Sequence, residues 1–301
     1  MESRNEHISL PLLTEHGIHL DVKREDLLHP VISGNKFRKL KYNLELARER
    51  GSTTLLTFGG AYSNHILATA CAGKESGFQT IGVIRGEEII DKWQENPTLS
   101  KAQAYGMQFR FVSRDDYRRK DDPNWLEEFL GNSNDVYVIP EGGSNFPGVK
   151  GCEEILTPSD KTYDYICCAV GTGGTIAGIV NSSDPGQPVI GFPVLRTSGI
   201  TKDIRRYISQ TNLTLEHSYH FGGYAKATSS LIQFMNSFRE NTGILLDPVY
   251  TAKLFFGIFD MIKNEKFPRE SKILAIHTGG LQGITAMNEK LSKQNLTQIQ
   301  L

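Results

Sequence analysis

The 301-residue chain carries 33 basic against 34 acidic side chains, a formal charge of −1 that gives no electrostatic reason to expect nucleic acid or an anionic membrane as partner. Hydrophobic residues make up 39% and charged residues 22%, ordinary for a globular chain, and the length exceeds that at which one core usually splits in two. No apolar run approaches the ~20 residues that span a bilayer. The stretch Met1–His7 lacks the apolar centre of a secretory signal, and four cysteines (Cys71, Cys152, Cys167, Cys168) show no disulfide-framework spacing, so a reducing cytoplasm is the expected setting.

The first strand expected is Ile18–Val22, followed by the charged connection Lys23-Arg24-Glu25-Asp26. The run Ser33-Gly34-Asn35-Lys36 then opens a helix that reaches Arg50. Gly34 permits a tight backbone path, Asn35 is a good cap, and Gly51 ends the helix. The β-branched run Thr53–Phe58 reads as a strand that stops at Gly59-Gly60. Ala61-Tyr62-Ser63-Asn64-His65 leads from it into the helix Ile66–Glu75, and the strand Gln79–Ile84 follows. Asn96-Pro97 starts another helix, with Asn as cap and Pro at the first helical position. Next come the strand Gln108–Val112, a polar stretch Ser113–Pro123, the helix Asn124–Leu130 and the strand Val136–Ile139. The turn Pro140-Glu141-Gly142-Gly143-Ser144 precedes an expected helix over Lys150–Ile155.

Tyr163–Val170 is the most buried-looking strand, and it runs into Gly171-Thr172-Gly173-Gly174-Thr175 before the helix Ile176–Val180. Beyond it the pattern predicts the strand Val189–Leu195, the helix Ser198–Gln210 and the strand His217–Phe221. Helices Ser229–Thr242 and Ala252–Ile262 follow, then the strand Lys272–His277, which ends at Thr278-Gly279-Gly280. The polar tail from Lys290 is expected to fray. Strands alternating with helices through short Gly-rich joins predict an α/β fold built on open, mostly parallel sheets, with ligands collecting at the carboxyl ends of strands.

Three of those strand ends carry candidate chemistry. A lysine held in a first helical turn with its amine partly desolvated loses proton affinity and becomes nucleophilic, so Lys36 is a candidate; the alternative is one more solvated cation beside Arg38, Lys39 and Lys41. The amides of Gly171–Thr175 would converge at a helix N-terminus, with Thr172 and Thr175 adding hydroxyls, which suits a phosphate. A dinucleotide fingerprint would need glycine where Ile176 stands, and a plain tight turn is the alternative. Ser63-Asn64-His65 offers amides and a hydroxyl for a carboxylate, or simply caps a helix. Thr251 could likewise be only a cap. The pairs His16/His19 and His217/His220 lack a third ligand, so no metal is expected.

Taken together, six segments resemble the family of 1-aminocyclopropane-1-carboxylate deaminases and D-cysteine desulfhydrases, pyridoxal-phosphate enzymes of the tryptophan-synthase-β-like fold (fold type II). They are Lys23-Arg24-Glu25-Asp26-Leu27, Gly34-Asn35-Lys36-x-Arg38-Lys39-Leu40, Gly59-Gly60-x-x-Ser63-Asn64-His65, Gly171–Thr175, Asp247-Pro248-Val249-Tyr250-Thr251 and His277-Thr278-Gly279-Gly280. The resemblance implies two lobes, each with its own twisted sheet flanked by helices: a smaller one over 42–147, and a larger cofactor-binding one of 1–41 and 148–301. It implies a homodimer as well. Lys36 would form the Schiff base with pyridoxal 5'-phosphate and later shuttle the α-proton. Gly171, Thr172, Gly173, Gly174 and Thr175 would hold the phosphate and Asn64 the ring hydroxyl. Tyr250 would lie against the cofactor and Thr251 would face the pyridine nitrogen. Ser63, Asn64, His65, Thr278 and Gly279 would meet the substrate, with Lys36, Ser63 and Tyr250 as the catalytic set.

Cyclopropane deaminases resemble one another in having Glu at the position of Thr251 and Leu at that of Thr278; desulfhydrase-like members have small hydroxyl residues at both. A threonine leaves the pyridine nitrogen neutral, a weaker electron sink that suffices for losing a β-thiolate. The expected reaction is therefore β-elimination on a small D-amino acid, D-cysteine giving pyruvate, ammonia and hydrogen sulfide. Cyclopropane-carboxylate deamination and a non-catalytic cofactor-binding protein are the alternatives.

Overall fold

Strand β1 (Asn5–Ile8) runs antiparallel to β2 (His19–Lys23), with the six-residue helix α1 (Pro11–His16) between them. Helix α2 (Asn35–Glu49) follows, then β3 (Thr54–Gly59), α3 (Asn64–Ser76), β4 (Gln79–Arg85), α4 (Pro97–Ala104) and β5 (Gln108–Val112). The chain continues through α5 (Arg114–Arg118), α6 (Pro123–Leu130), β6 (Val136–Ile139) and α7 (Phe146–Cys152). Its last part comprises β7 (Tyr165–Val170), α8 (Gly174–Ser182), β8 (Val189–Pro193), α9 (Ile200–Arg205), β9 (Leu213–Leu215), α10 (Ser229–Thr242), α11 (Thr251–Lys263), β10 (Lys272–Ile276) and α12 (Gly283–Lys293). This computed structural model describes residues 2–131, 133, 135–195 and 199–301.

The chain divides into two units, Met1–Asn35 with Cys152–Leu301, and Lys36–Gly151. The first holds a six-stranded sheet in the order β1-β2-β10-β7-β8-β9, parallel throughout except for the β1 edge. Its core is aliphatic and aromatic: Leu20 and Val22 of β2, Ile273 and Ala275 of β10, and Leu254, Phe255 and Ile258 of α11 are all buried. The second holds a four-stranded, fully parallel sheet, β5-β4-β3-β6. Every residue of β3 is buried, as a strand between two parallel neighbours and beneath α3 should be. The expected lobe of 42–147 falls within this second unit.

Four local expectations are corrected. His217–Phe221 is a turn, not a strand; its alternating aromatics pack on side chains instead of pairing in a ladder. Tyr219 lies 6.0 Å from Phe192 and Phe221 4.9 Å from Phe256 of α11, ring centre to ring centre. The sheet is extended instead by the three residues of β9. The helix expected over Lys150–Ile155 begins earlier, as α7, because Asn145 Oδ1 accepts the Gly148 amide at 2.9 Å and starts the turn there. The helix expected over Ser198–Gln210 is the shorter α9, and Ser198 itself lies outside the described residues. The tail does not fray: Ile299 is buried, its amide and carbonyl both bonded to the Asn288 side chain of α12 at 2.8 Å.

Candidate active site

In the first unit, the carboxyl end of β7 opens into Gly171–Thr175 and the start of α8. Among the described residues no side chain caps α8, whose N-cap residue Gly173 is left-handed (φ +87°). Its first-turn amides are therefore available to an outside acceptor, and the segment Gly171–Thr175 contains only amide and hydroxyl donors with no acidic group. That donor set fits a phosphate dianion. The Thr175 hydroxyl accepts from Asn35 Nδ2 at 2.7 Å, which ties the start of α2 to the start of α8. Lys36 is the next residue along the chain.

Around this loop the unit gathers most of its other candidates. Tyr250, at the head of α11, presses its ring on Gly171, where a Cβ would stand 3.0 Å from Cε1. Thr251 is wholly buried, and its Oγ accepts the Asp247 amide at 2.7 Å. The same hydroxyl lies 3.5 Å from the Asp247 carbonyl, so a neutral side chain closes this turn. The Thr278 carbonyl takes the Asn35 amide at 3.3 Å, and Gly279 lies against Ser33. The loop 277–280 is itself anchored by buried His277, which donates from Nε2 to the Leu245 carbonyl (2.7 Å) and accepts the Gly279 amide at Nδ1 (3.2 Å). Those two bonds require the neutral ring, and burial does lower the pKa of His277.

The second unit, taken by itself, holds the candidates Lys36, Ser63, Asn64 and His65. Ser63 is the N-cap of α3, with Oγ 3.4 Å from the Ile66 amide, so its hydroxyl is held at the helix start next to half-buried Asn64. His65 differs from expectation in where its ring goes: it is 2% exposed and its Nε2 pairs with the Thr57 hydroxyl at 2.8 Å. Its pKa falls well below 6.5 through burial first, then through the positive charges of Lys36 and Lys39. Lys36 and His65 are thus electrostatic neighbours, with the ring neutral.

Lys36 is half-buried, and the stretch that follows is no solvated basic face: Arg38 and Lys39 are 3% and 1% exposed. Sequence reasoning missed what Lys39 does. Its Nζ donates to the Gly142 carbonyl and Ser144 Oγ, both at 3.0 Å, which fixes the turn after β6 on the helix that carries Lys36. It also missed Tyr224, whose ring meets Tyr250 edge to face at 6.2 Å. The Gly222-Gly223 pair beside it was the available signal.

The chain belongs to the family of pyridoxal-phosphate dependent enzymes, which matches residues 3–279. A Thermotoga maritima protein, provisionally named a 1-aminocyclopropane-1-carboxylate deaminase, is 35% identical over 93% of this chain and 94% of its own. An Arabidopsis thaliana protein named as a bifunctional, mitochondrial D-cysteine desulfhydrase and 1-aminocyclopropane-1-carboxylate deaminase is 32% identical over 89% of this chain and 74% of its own. The crystal structure of a homologue of 1-aminocyclopropane-1-carboxylate deaminase superposes with a TM-score of 0.82 at 31% identity, covering 97% of this chain and 94% of that one. The protein is therefore a pyridoxal-phosphate dependent enzyme of the α/β fold expected. No helix among the described residues is long and apolar enough to cross a membrane.

Proposed function

We propose that the enzyme eliminates the β-substituent of a small D-amino acid, converting D-cysteine and water to pyruvate, ammonia and hydrogen sulfide. One observation carries the choice: Thr251, buried at the head of α11 with its hydroxyl taking the Asp247 amide, is a neutral side chain with no carboxylate to keep a proton on the pyridine nitrogen. A carboxylate at that position would instead hold a proton on the ring, the stronger sink suited to opening a cyclopropane.

Bound pyridoxal phosphate supplies an electron sink for the α-carbon. The chain's own residues do the rest. Lys36 would carry the cofactor linkage and afterwards move the α-proton, a role suited to a half-buried amine at a helix start. Gly171–Thr175 would hold the phosphate, Asn64 the ring hydroxyl, and Ser63 the substrate carboxylate. The contribution of His65 runs through its backbone amide, since its ring is engaged by Thr57. Tyr250, seated on Gly171, bounds the place of reaction.

Cyclopropane-carboxylate deamination is the second reading, favoured by the names of the relatives. We assign the protein to a homodimer on family grounds, and to the cytoplasm, where four free and buried cysteines would stay reduced. Keto-acid release measured on a panel of D- and L-cysteine, D-serine and 1-aminocyclopropane-1-carboxylate separates the readings. D-Cysteine is expected to turn over fastest; efficient opening of the cyclopropane with D-cysteine untouched would reverse the assignment.

A further inference from the structure

Among the ionisable side chains buried in the first unit are Asp247, 1% exposed, and Lys253, 0% exposed, neither of which has a part in the roles above. Both lie on the segment that presents Tyr250 and Thr251. Asp247 Oδ1 accepts the amides of Val249 and Tyr250, each at 2.6 Å, so the carboxyl group fixes the backbone of the tyrosine directly. Its second oxygen, Oδ2, is buried with no hydrogen-bond partner. Burial pushes this acid up to about 7 and lowers the Lys253 ammonium to about 8, each partly offset by the attraction between them. Such groups are costly to bury unless their polar atoms find partners.

Lys253 spends that burial on one segment. Its Nζ donates to the His220 carbonyl at 3.0 Å and to the Gly223 carbonyl at 2.7 Å. Between and beyond those carbonyls the backbone is left-handed at Phe221 (φ 53°), Gly222 (89°), Gly223 (120°) and Ala225 (51°). Two of these, Phe221 and Ala225, are not glycine, so the turn carries backbone strain there. Tyr224 sits in the middle of it, 45% exposed, with its ring edge to face against Tyr250.

We propose that Lys253 and Asp247 are positioning residues: the buried amine clamps the Phe221–Ala225 turn onto the first turn of α11, the carboxyl group fixes the Tyr250 backbone, and together they hold Tyr224 and Tyr250 as one aromatic pair. The catalytic consequence rests on the reading of Tyr250 as a residue that meets cofactor and substrate. The clamp itself does not, and the two are tested separately.

The experiment uses full-length enzyme loaded with pyridoxal phosphate, as wild type, Lys253→Met, Tyr224→Ala and the double variant. Hydrogen exchange over residues 221–225 is read first, and is expected to speed up about tenfold or more in Lys253→Met while the strands of the same unit keep their protection. Unchanged exchange in that turn would overturn the clamp whatever the enzyme's substrate. For D-cysteine elimination, kcat is expected to fall about tenfold to a hundredfold in Lys253→Met, with KM little changed. A lysine that acts only through Tyr224 costs nothing further once Tyr224 is gone, so Lys253→Met should leave kcat unaltered in the Tyr224→Ala background. Multiplying effects would show a general structural role and overturn the positioning of the pair. Should Lys253→Met not fold, Lys253→Gln, a shorter neutral donor, is put through the same cycle with the same expectations. An enzyme inactive on D-cysteine would remove the proposed substrate and leave the exchange result to decide the clamp.

Discussion

At Gly34 a hydrogen atom stands where any side chain would collide. The residue is left-handed (φ +65°), and a Cβ would come within 1.9 Å of the Thr278 carbonyl oxygen, a backbone atom that cannot swing aside. Gly34→Ala is therefore expected to cost at least about 1–3 kcal/mol in urea unfolding and, by shifting the chain two residues before Lys36, to weaken cofactor attachment read by visible absorbance. His65 makes the second argument at this scale. Thr57 has one hydroxyl proton and donates it to the Ile139 carbonyl at 2.9 Å, so it must accept from His65 Nε2–H, which leaves Nδ1 bare and buried. A proton at Nδ1 would have only the Pro140 carbonyl to favour it, against burial and two lysines. In the unfolded chain the imidazole titrates near 6.5, while the folded ring stays neutral well below that. The stabilising difference is present above pH 6.5 and is lost as pH falls towards the lower folded value. Between pH 6.5 and 5, urea midpoints of the wild type should drop further than those of His65→Gln.

Among the elements, the turn into α8 separates two kinds of glycine-loop mutation. A Cβ on Gly173 would meet Ile204 Cγ1 at 2.7 Å in an already left-handed backbone, so Gly173→Val should lower the melting temperature of the cofactor-free protein as well as its affinity. Thr172 is exposed, and its backbone is not among the left-handed positions of this loop. Thr172→Val should lower the cofactor-free melting temperature less than Gly173→Val does, and weaken cofactor binding by about tenfold, measured by titration. These elements were legible because their signals are local: the buried β-branched run of β3, the Asn96-Pro97 start of α4, glycines at strand ends. What escaped depends on partners distant in the chain. β1 is four residues long and exists as a strand only because β2 pairs with it. The aromatics of 217–221 alternate like a strand, yet α11 and β8 take them up as packing. Lys39 and Lys253 look in sequence like surface cations, and only the carbonyls they meet, 103 and 30 residues away, account for their burial. The linear motifs of the candidate site could be read; the side chains that hold them in place could not.

For the whole molecule, the C-terminal segment is part of the first unit's fold and not an appendage. Besides the Asn288 bonds to Ile299, the Asn236 side chain of α10 donates to the Gln298 carbonyl and accepts the Gln300 amide, both at 3.0 Å. Deleting 297–301 removes a buried isoleucine and these four bonds, and should cost about 2–4 kcal/mol by urea unfolding. The loss should appear in that unit, with protection of β3–β6 unaffected. A larger matter of timing follows from the strand order β1-β2-β10-β7, in which β2, finished by residue 23, finds its parallel partner only at residues 272–276. On a ribosome adding about 5–20 residues each second, the β1–β2 pair waits on the order of tens of seconds for β10 to be made. All four strands of the second unit are complete by residue 139 and can fold while the rest is still being translated. Nascent chains arrested near residue 200 should thus contain a protease-resistant 36–151 core joined to an N-terminal hairpin still open to cleavage, and the vulnerable species in biosynthesis is that hairpin with its β2 edge unpaired.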